Sequence, residues 1–178
     1  MGENSYVIGV CGHRHLPHEG IAAITAKIQA FYQAEVTRSG AERITIMSSL
    51  AVGSDTLCAK LALDSGLRLI VPLPMKALEY RNDFPEPLAS EYDCLLSIAD
   101  QVFVVDAQEP VPPNPQRGFY YRQAGIYVVK HCDVLLAVWD GNERDSADGA
   151  GTWETVKLAR GYGKEIKHIE ALLQQQEK

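Results

Sequence analysis

From end to end the sequence alternates short apolar runs with stretches whose apolar residues recur at helical spacing, and this alternation restricts the chain to a sheet interleaved with helices. Tyr6–Cys11 is almost continuously apolar and stops at Gly12, as a strand covered on both faces does. Behind it Ile21, Ile24, Ile28, Phe31 and Tyr32 fall on one helical stripe that ends near Ser39 and Gly40. Arg43–Met47 reads as the next strand, Ser54 and Asp55 as a helix start, and Leu57, Leu61 and Ala62 as the buried face of that helix. Leu67–Leu73 predicts a third strand, Leu88–Ala99 a helix, and Gln101–Val105 a fourth strand. Phe119–Lys130 is patterned as a helix and Val134–Trp139 is the most apolar strand. Thr152–Arg160 is a further helix, and Ile166–Ile169 a weak last strand before a short polar tail. The expected architecture is α/β: a three-layer, open, mainly parallel sheet of about six strands with helices on both faces. One domain spanning residues 1–178 accommodates it.

Composition narrows the partners. The chain carries 17 Lys and Arg against 23 Asp and Glu, a net charge of -6, which argues against a broad footprint for nucleic acid or anionic lipid. No apolar stretch approaches the ~18 residues of a membrane span, and the N-terminus lacks the basic and apolar regions of a signal peptide. Cys11, Cys58, Cys94 and Cys132 lie far apart, each in or beside an apolar run, and read as small buried hydrophobes in a reducing, cytoplasmic setting. The proline-rich segment Pro110–Pro115 fits neither a central strand nor a helix interior and reads as a surface loop, with Asp140–Ala150 a second candidate for mobility.

In open parallel sheets ligands bind outside the carboxyl ends of the strands, so the residues after each strand are the candidates. Gly149-x-Gly151-Thr152-x-Glu154 leads straight into a helix. Its glycines allow close backbone approach, and the helix start offers free N–H groups, so it reads as a phosphate-binding loop or as a surface loop with an ordinary cap. After the first strand come Gly12, His13 and Arg14, the last able to fork onto phosphate or carboxylate. His13, His15 and His18 read as loop histidines, because no carboxylate or thiolate stands at metal-ligand spacing, and no metal or cofactor is expected. Ser48, Ser49, Gly53 and Asp55 follow the second strand, with Asp55 either bonding ribose hydroxyls or capping its helix. Asp140 and Gly141 follow the fifth. Arg117 and Arg122 flank Tyr120 and Tyr121 on the preceding helix, and isolated arginines there are most often solvated.

Taken in order, VIGVCGHR, SSLAVGSD, LIVPLPM with YRNDF, and DVLLAVWDG with GAGTWET resemble the SLOG superfamily, over about Tyr6 to Ile169. Its members are Rossmann-like and include the LOG phosphoribohydrolases, also called lysine decarboxylase-like proteins, together with DprA and YpsA-type proteins. The resemblance implies binding or sensing of a nucleotide or nucleotide-derived phosphorylated ligand, with Gly149, Gly151 and Thr152 at the phosphate and Arg122 beside it. It also implies a homodimer and, since the chain carries no effector segment, a separately encoded effector partner. The alternative is a nucleoside 5′-monophosphate N-glycosidase of the LOG type, with Arg122 and Glu154 as the catalytic pair. Against it, the Pro-Gly-Gly start of the LOG motif is absent, and the final motif glutamate aligns with Thr155, leaving Glu154 one residue early. DNA binding in the manner of DprA is disfavoured by the acidic balance, so the expected partner is a small ligand and not nucleic acid.

Overall fold

The computed structural model describes residues 5–171. The polar tail expected after the last strand lies outside the described residues. β1 (Tyr6–Gly12), β2 (Ile44–Met47), β3 (Arg68–Leu73), β4 (Gln101–Val104), β5 (Val134–Trp139) and β6 (Glu165–Glu170) form one sheet in the order β4-β3-β2-β1-β5-β6. Every neighbouring pair is parallel, so the sheet is wholly rather than mainly parallel.

The helices are α1 (Ile21–Ser39), α2 (Ser54–Asp64), α3 (Ala77–Tyr80), α4 (Leu88–Ile98), α5 (Arg117–His131) and α6 (Thr152–Gly161). Side chains alternate across each strand, and the two faces fill separately. Ile8 and Val10 of β1 pack with Ile24, Ile28 and Tyr32 of α1, with Ala59 and Ala62 of α2 and with Tyr92 of α4. Cys11, Leu135, Ala137 and Trp139 face Val128 and Val129 of α5 and Val156 and Ala159 of α6. Burying a Leu, Ile or Val side chain contributes about 1.5–3 kcal/mol, so these two layers hold the sheet between them. Trp139 is buried and stacks on Trp153 at 6.0 Å, which makes the pair a core feature of the α6 face.

One expectation is corrected: Cys94 is exposed on α4 rather than buried, whereas Cys11, Cys58 and Cys132 are buried free thiols. Residues 110–114 lie on the surface, and the chain just before them is anchored where the buried Gln123 Oε1 accepts the Gln108 and Glu109 N–H groups at 2.7 and 3.0 Å. Among the described residues no helix is long and apolar enough to cross a membrane.

The strand order reverses at β1: the chain runs outward from β1 through β2 and β3 to β4, then returns to place β5 on the other side of β1. That switch point opens a crevice at the carboxyl ends of β1 and β5.

Candidate functional site

The crevice is a cleft of about 430 Å³. Its walls come from the end of β1 (Gly12, His13, Arg14), the loop after β2 (Ser49, Ala51), the start of α2 (Asp55), Tyr80 of α3, Tyr121 and Gly125 of α5, and Asp148, Gly151, Thr152 and Thr155 around the start of α6. Gly12, His13, Arg14, Ser49, Asp55, Gly151 and Thr152 were expected at the site and do line it.

Two glycines let these pieces meet. A Cβ on Gly12 would lie 2.4 Å from the Val138 carbonyl oxygen and 2.5 Å from Ser54 Cβ, so the end of β1 can pass between β5 and α2 only without a side chain. Gly53 has φ +93°, and a Cβ there would lie 2.3 Å from the Arg14 carbonyl oxygen. The start of α2 is thereby docked on the turn after β1, where the Ser54 N–H and hydroxyl both donate to the His13 carbonyl, at 3.0 and 2.9 Å. Gly53 therefore shapes the site without lining it.

Ser48 also acts from behind the cleft wall. It is fully buried, its hydroxyl accepts the Leu50 N–H at 3.2 Å and donates to the Asp55 carbonyl at 3.3 Å. The pin holds Leu50, a buried residue, in the left-handed region at φ 56°, a strained conformation behind the cleft wall. Asp55 follows, 7% exposed, and burial pushes its carboxyl up to about 7, against the pull of the Ala51 N–H, the Arg14 guanidinium and the Ser48 hydroxyl.

Arg14 extends over the ring of Tyr121, its guanidinium carbon 5.1 Å from the ring centroid. Tyr121 is held in turn by Asp83, which accepts its hydroxyl, and by Arg117, whose Nε donates to the Tyr121 oxygen at 2.9 Å and whose Nη2 reaches Asp83 at 2.6 Å. Tyr80 packs 6.1 Å from Tyr121 on its other flank. Of the helix residues read together from the sequence, Tyr121 faces the cleft and Arg122 does not, and Tyr80 and Asp83 were not singled out although both stand in the YRNDF string.

The remaining expected residues are placed elsewhere. The Gly149–Thr152 loop closes on itself: the Ser146 hydroxyl accepts the Ala150 and Gly151 N–H groups at 3.1 and 3.0 Å, and the Asp148 carboxylate accepts the Ala150 N–H at 3.2 Å. Gly149 does not line the cleft, and the Ala150 and Gly151 amides of the loop already have partners. Glu154 turns back over the same loop, accepting the Ser146 N–H and hydroxyl. Burial acts upward on its carboxyl, but the bonds from Ser146 to Oε1 hold it below the usual range, while Oε2 is buried without a hydrogen-bond partner. Arg122 forks onto Glu109 at 2.9 and 3.0 Å and, with Glu154, borders a separate cavity. The expected catalytic pair is thus outside the cleft, each member already engaged. Asp140 donates its N–H to His13 Nε2 at 3.1 Å and orients that ring, while Gly141 lies beside His168 away from the cleft.

Among the described residues every arginine other than Arg14 and Arg144 lies within 4.0 Å of a carboxylate. Arg14 is the one of these two that lines the cleft.

No protein-family model matches the chain, and no curated protein matches it. Solved structures do. DNA processing protein A (DprA) from Streptococcus pneumoniae superposes with a TM-score of 0.62 at 19% identity, covering 96% of this chain and 52% of that one. DNA processing protein A from Helicobacter pylori superposes with a TM-score of 0.60 at 16% identity, covering 97% of this chain and 68% of that one, in a structure described by its single-stranded DNA binding mode. The chain thus spans about half the length of the pneumococcal protein. The Helicobacter pylori protein binds single-stranded DNA, so the inference from net charge that nucleic acid is no partner, with a small ligand alone in its place, does not stand. What the comparisons establish is the fold: this chain shares the Rossmann-like α/β fold of these two DNA processing proteins.

Proposed function

We propose that the chain binds a nucleotide-type ligand in the strand-end cleft, with phosphate on Arg14 and the sugar and base against Ser49, Asp55, Tyr80 and Tyr121. The observation that carries this reading is Arg14 itself, a cleft-lining guanidinium with no carboxylate partner, laid on an aromatic ring that fixes its position. An unpaired arginine keeps all its donors available for a forked contact to an oxyanion. The ligand class favoured is single-stranded nucleic acid. One guanidinium matches the single charge of a phosphodiester, and Asp55 and Asp148 nearby disfavour a doubly charged terminal phosphate. The likeness to the Helicobacter pylori protein supports the same class. The glycosidase reading needs Arg122 and Glu154 at a ribose, and both face away from the cleft in bonds of their own.

The test is anisotropy of a labelled oligothymidylate at fixed salt, with nucleoside monophosphates as competitors and free base monitored. Binding that Arg14→Ala weakens by roughly tenfold or more supports the reading. Equal affinity in that variant, or no binding of either ligand class, removes it. Release of free base that Glu154→Gln abolishes would restore the glycosidase.

A further inference from the structure

An anion that settles on Arg14 meets a second ionisable group in the same confined space. Asp55 lines the cleft from the first turn of α2 and is 7% exposed. The groups around it are poor in positive charge. The end of β1 and its turn bring Cys11, His13 and Arg14, α1 brings the Tyr32 phenol, α2 itself the Cys58 thiol, α3 the Tyr80 phenol and α5 the Tyr121 phenol, and the loop before α6 adds the Asp148 carboxylate. His13 Nε2 lies 3.1 Å from both the Asp140 N–H and the Asp140 carboxylate, so that ring has its own counter-charge. Arg14 is the cation that pulls Asp55 toward its charged form, and it makes no ion pair with Asp55 within 4.0 Å.

A phosphate on Arg14 shares that cation and adds a negative charge to a site from which it displaces water. Two anions drawn to one cation against a buried cleft wall repel, and the one that can take a proton at low cost does so. The phosphodiester cannot, whereas Asp55 is already balanced near neutrality by its burial. A charged carboxylate has only acceptors to offer a phosphate oxygen; a neutral one has a donor.

We propose that Asp55 meets the bound phosphate as a neutral carboxyl, its O–H donating to a phosphate oxygen, so that each ligand enters with one proton taken from solvent. The inference rests on the nucleotide-binding reading and adds the protonation state in which the cleft works. It makes Asp55 a ligand-contacting residue that ties affinity to pH.

The experiment is calorimetric titration of the full chain with an oligothymidylate lacking terminal phosphates, whose charge is constant from about pH 5.5 to about pH 8.5. Two buffers of different ionisation enthalpy report the protons taken up. Uptake approaching one proton per ligand near about pH 8 is expected, with affinity falling roughly tenfold per pH unit there. Asp55→Asn is expected to bind with a flat profile and no uptake, and His13→Gln to keep the uptake. A flat profile in the unaltered protein overturns the inference while leaving the binding reading intact. So does uptake that survives in Asp55→Asn or vanishes in His13→Gln. Should Asp55→Asn fail to fold, the unaltered protein and His13→Gln still decide between these outcomes. Absence of binding at every pH overturns the binding reading itself.

Discussion

The Arg14 guanidinium lies 5.1 Å from the centroid of the Tyr121 ring and has no carboxylate within 4.0 Å among the described residues. The pairing joins the turn after β1 to the first half of α5, two elements far apart in sequence that meet at the switch point of the sheet. Tyr121 lends Arg14 a surface without neutralising it, which a carboxylate would do.

Arg14→Lys is therefore not a conservative change. A lysine offers a point charge without the planar fork, and it rests less well on the ring. The lysine variant is expected to recover only part of what Arg14→Ala loses, about 1.5–3 kcal/mol of binding for a charged hydrogen bond. Both variants should melt within a degree or two of the parent, since Arg14 is exposed and carries no ion pair. Anisotropy at one salt concentration and a thermal melt check the two halves of this statement.

Tyr121 allows the ring and the hydroxyl to be separated. Tyr121→Phe keeps the surface under Arg14 and loses the bonds to Asp83 and Arg117. Tyr121→Leu loses both. A cation–ring contact at a partly exposed site is worth about 0.5–1 kcal/mol. The leucine variant is thus expected to bind roughly two- to fivefold more weakly than the phenylalanine variant. Equal affinities in the two would show that the ring does not position Arg14.

Strands and long helices were legible because each carries a period imposed by its neighbours. β5 is buried on both faces and therefore continuously apolar, and α1 shows Ile24, Ile28 and Tyr32 at one-turn spacing because one face meets the sheet. α3 is too short to show a period, so Tyr80 and the nearby Asp83 escaped notice. The cleft's position was legible from the alternation itself, but the direction of each side chain was not. Glu154 lies in a loop motif that suggests chemistry, yet its partner is Ser146 on the preceding loop, and Arg122 finds Glu109 across the proline-rich segment. Such pairs depend on how loops fold back, which no spacing reveals. Net charge misled for a related reason, since most arginines are matched locally by carboxylates and one unmatched arginine is invisible in a sum.

Gly53→Ala tests how the cleft is assembled. The added methyl meets the Arg14 carbonyl at 2.3 Å, and the backbone at φ +93° resists any side chain. Strain of this kind costs about 1–3 kcal/mol, and relief of the clash requires the start of α2 to leave the His13 carbonyl. Urea denaturation should show a loss of at least about 1 kcal/mol. Ligand affinity should fall too, because Arg14 and Asp55 flank this junction.

Glu154 is expected to behave as a latch for its loop. Glu154→Ala removes the acceptor for the Ser146 N–H and hydroxyl, and with it the fold of the segment that carries Asp148. The expected cost is about 1–3 kcal/mol, the usual penalty for leaving partly buried donors without a partner. Limited proteolysis should then cut between Asp140 and Gly151, where the parent resists. An unchanged cleavage pattern would remove the latch.

Asp55 also leaves a signature in stability without any ligand. Its carboxyl titrates at about 7 in the folded chain and near about 3.9 when unfolded, so between those values the folded state holds the extra proton. Stability is then greatest on the acid side of the window and is lost as pH rises from about 4 to about 7, after which this group has no further effect. Glu86, Glu109, Asp140 and Glu154 are shifted downward and act with the opposite sign, but only below about pH 4.5, so the interval from about pH 5 to about pH 7 isolates Asp55. At about 1.4 kcal/mol per pH unit, the loss across that interval is of order 2–3 kcal/mol. Urea denaturation at about pH 5 and about pH 8 should show it in the parent and not in Asp55→Asn, whose amide cannot ionise. A parent more stable at the higher pH would mean that Asp55 is charged in the folded cleft.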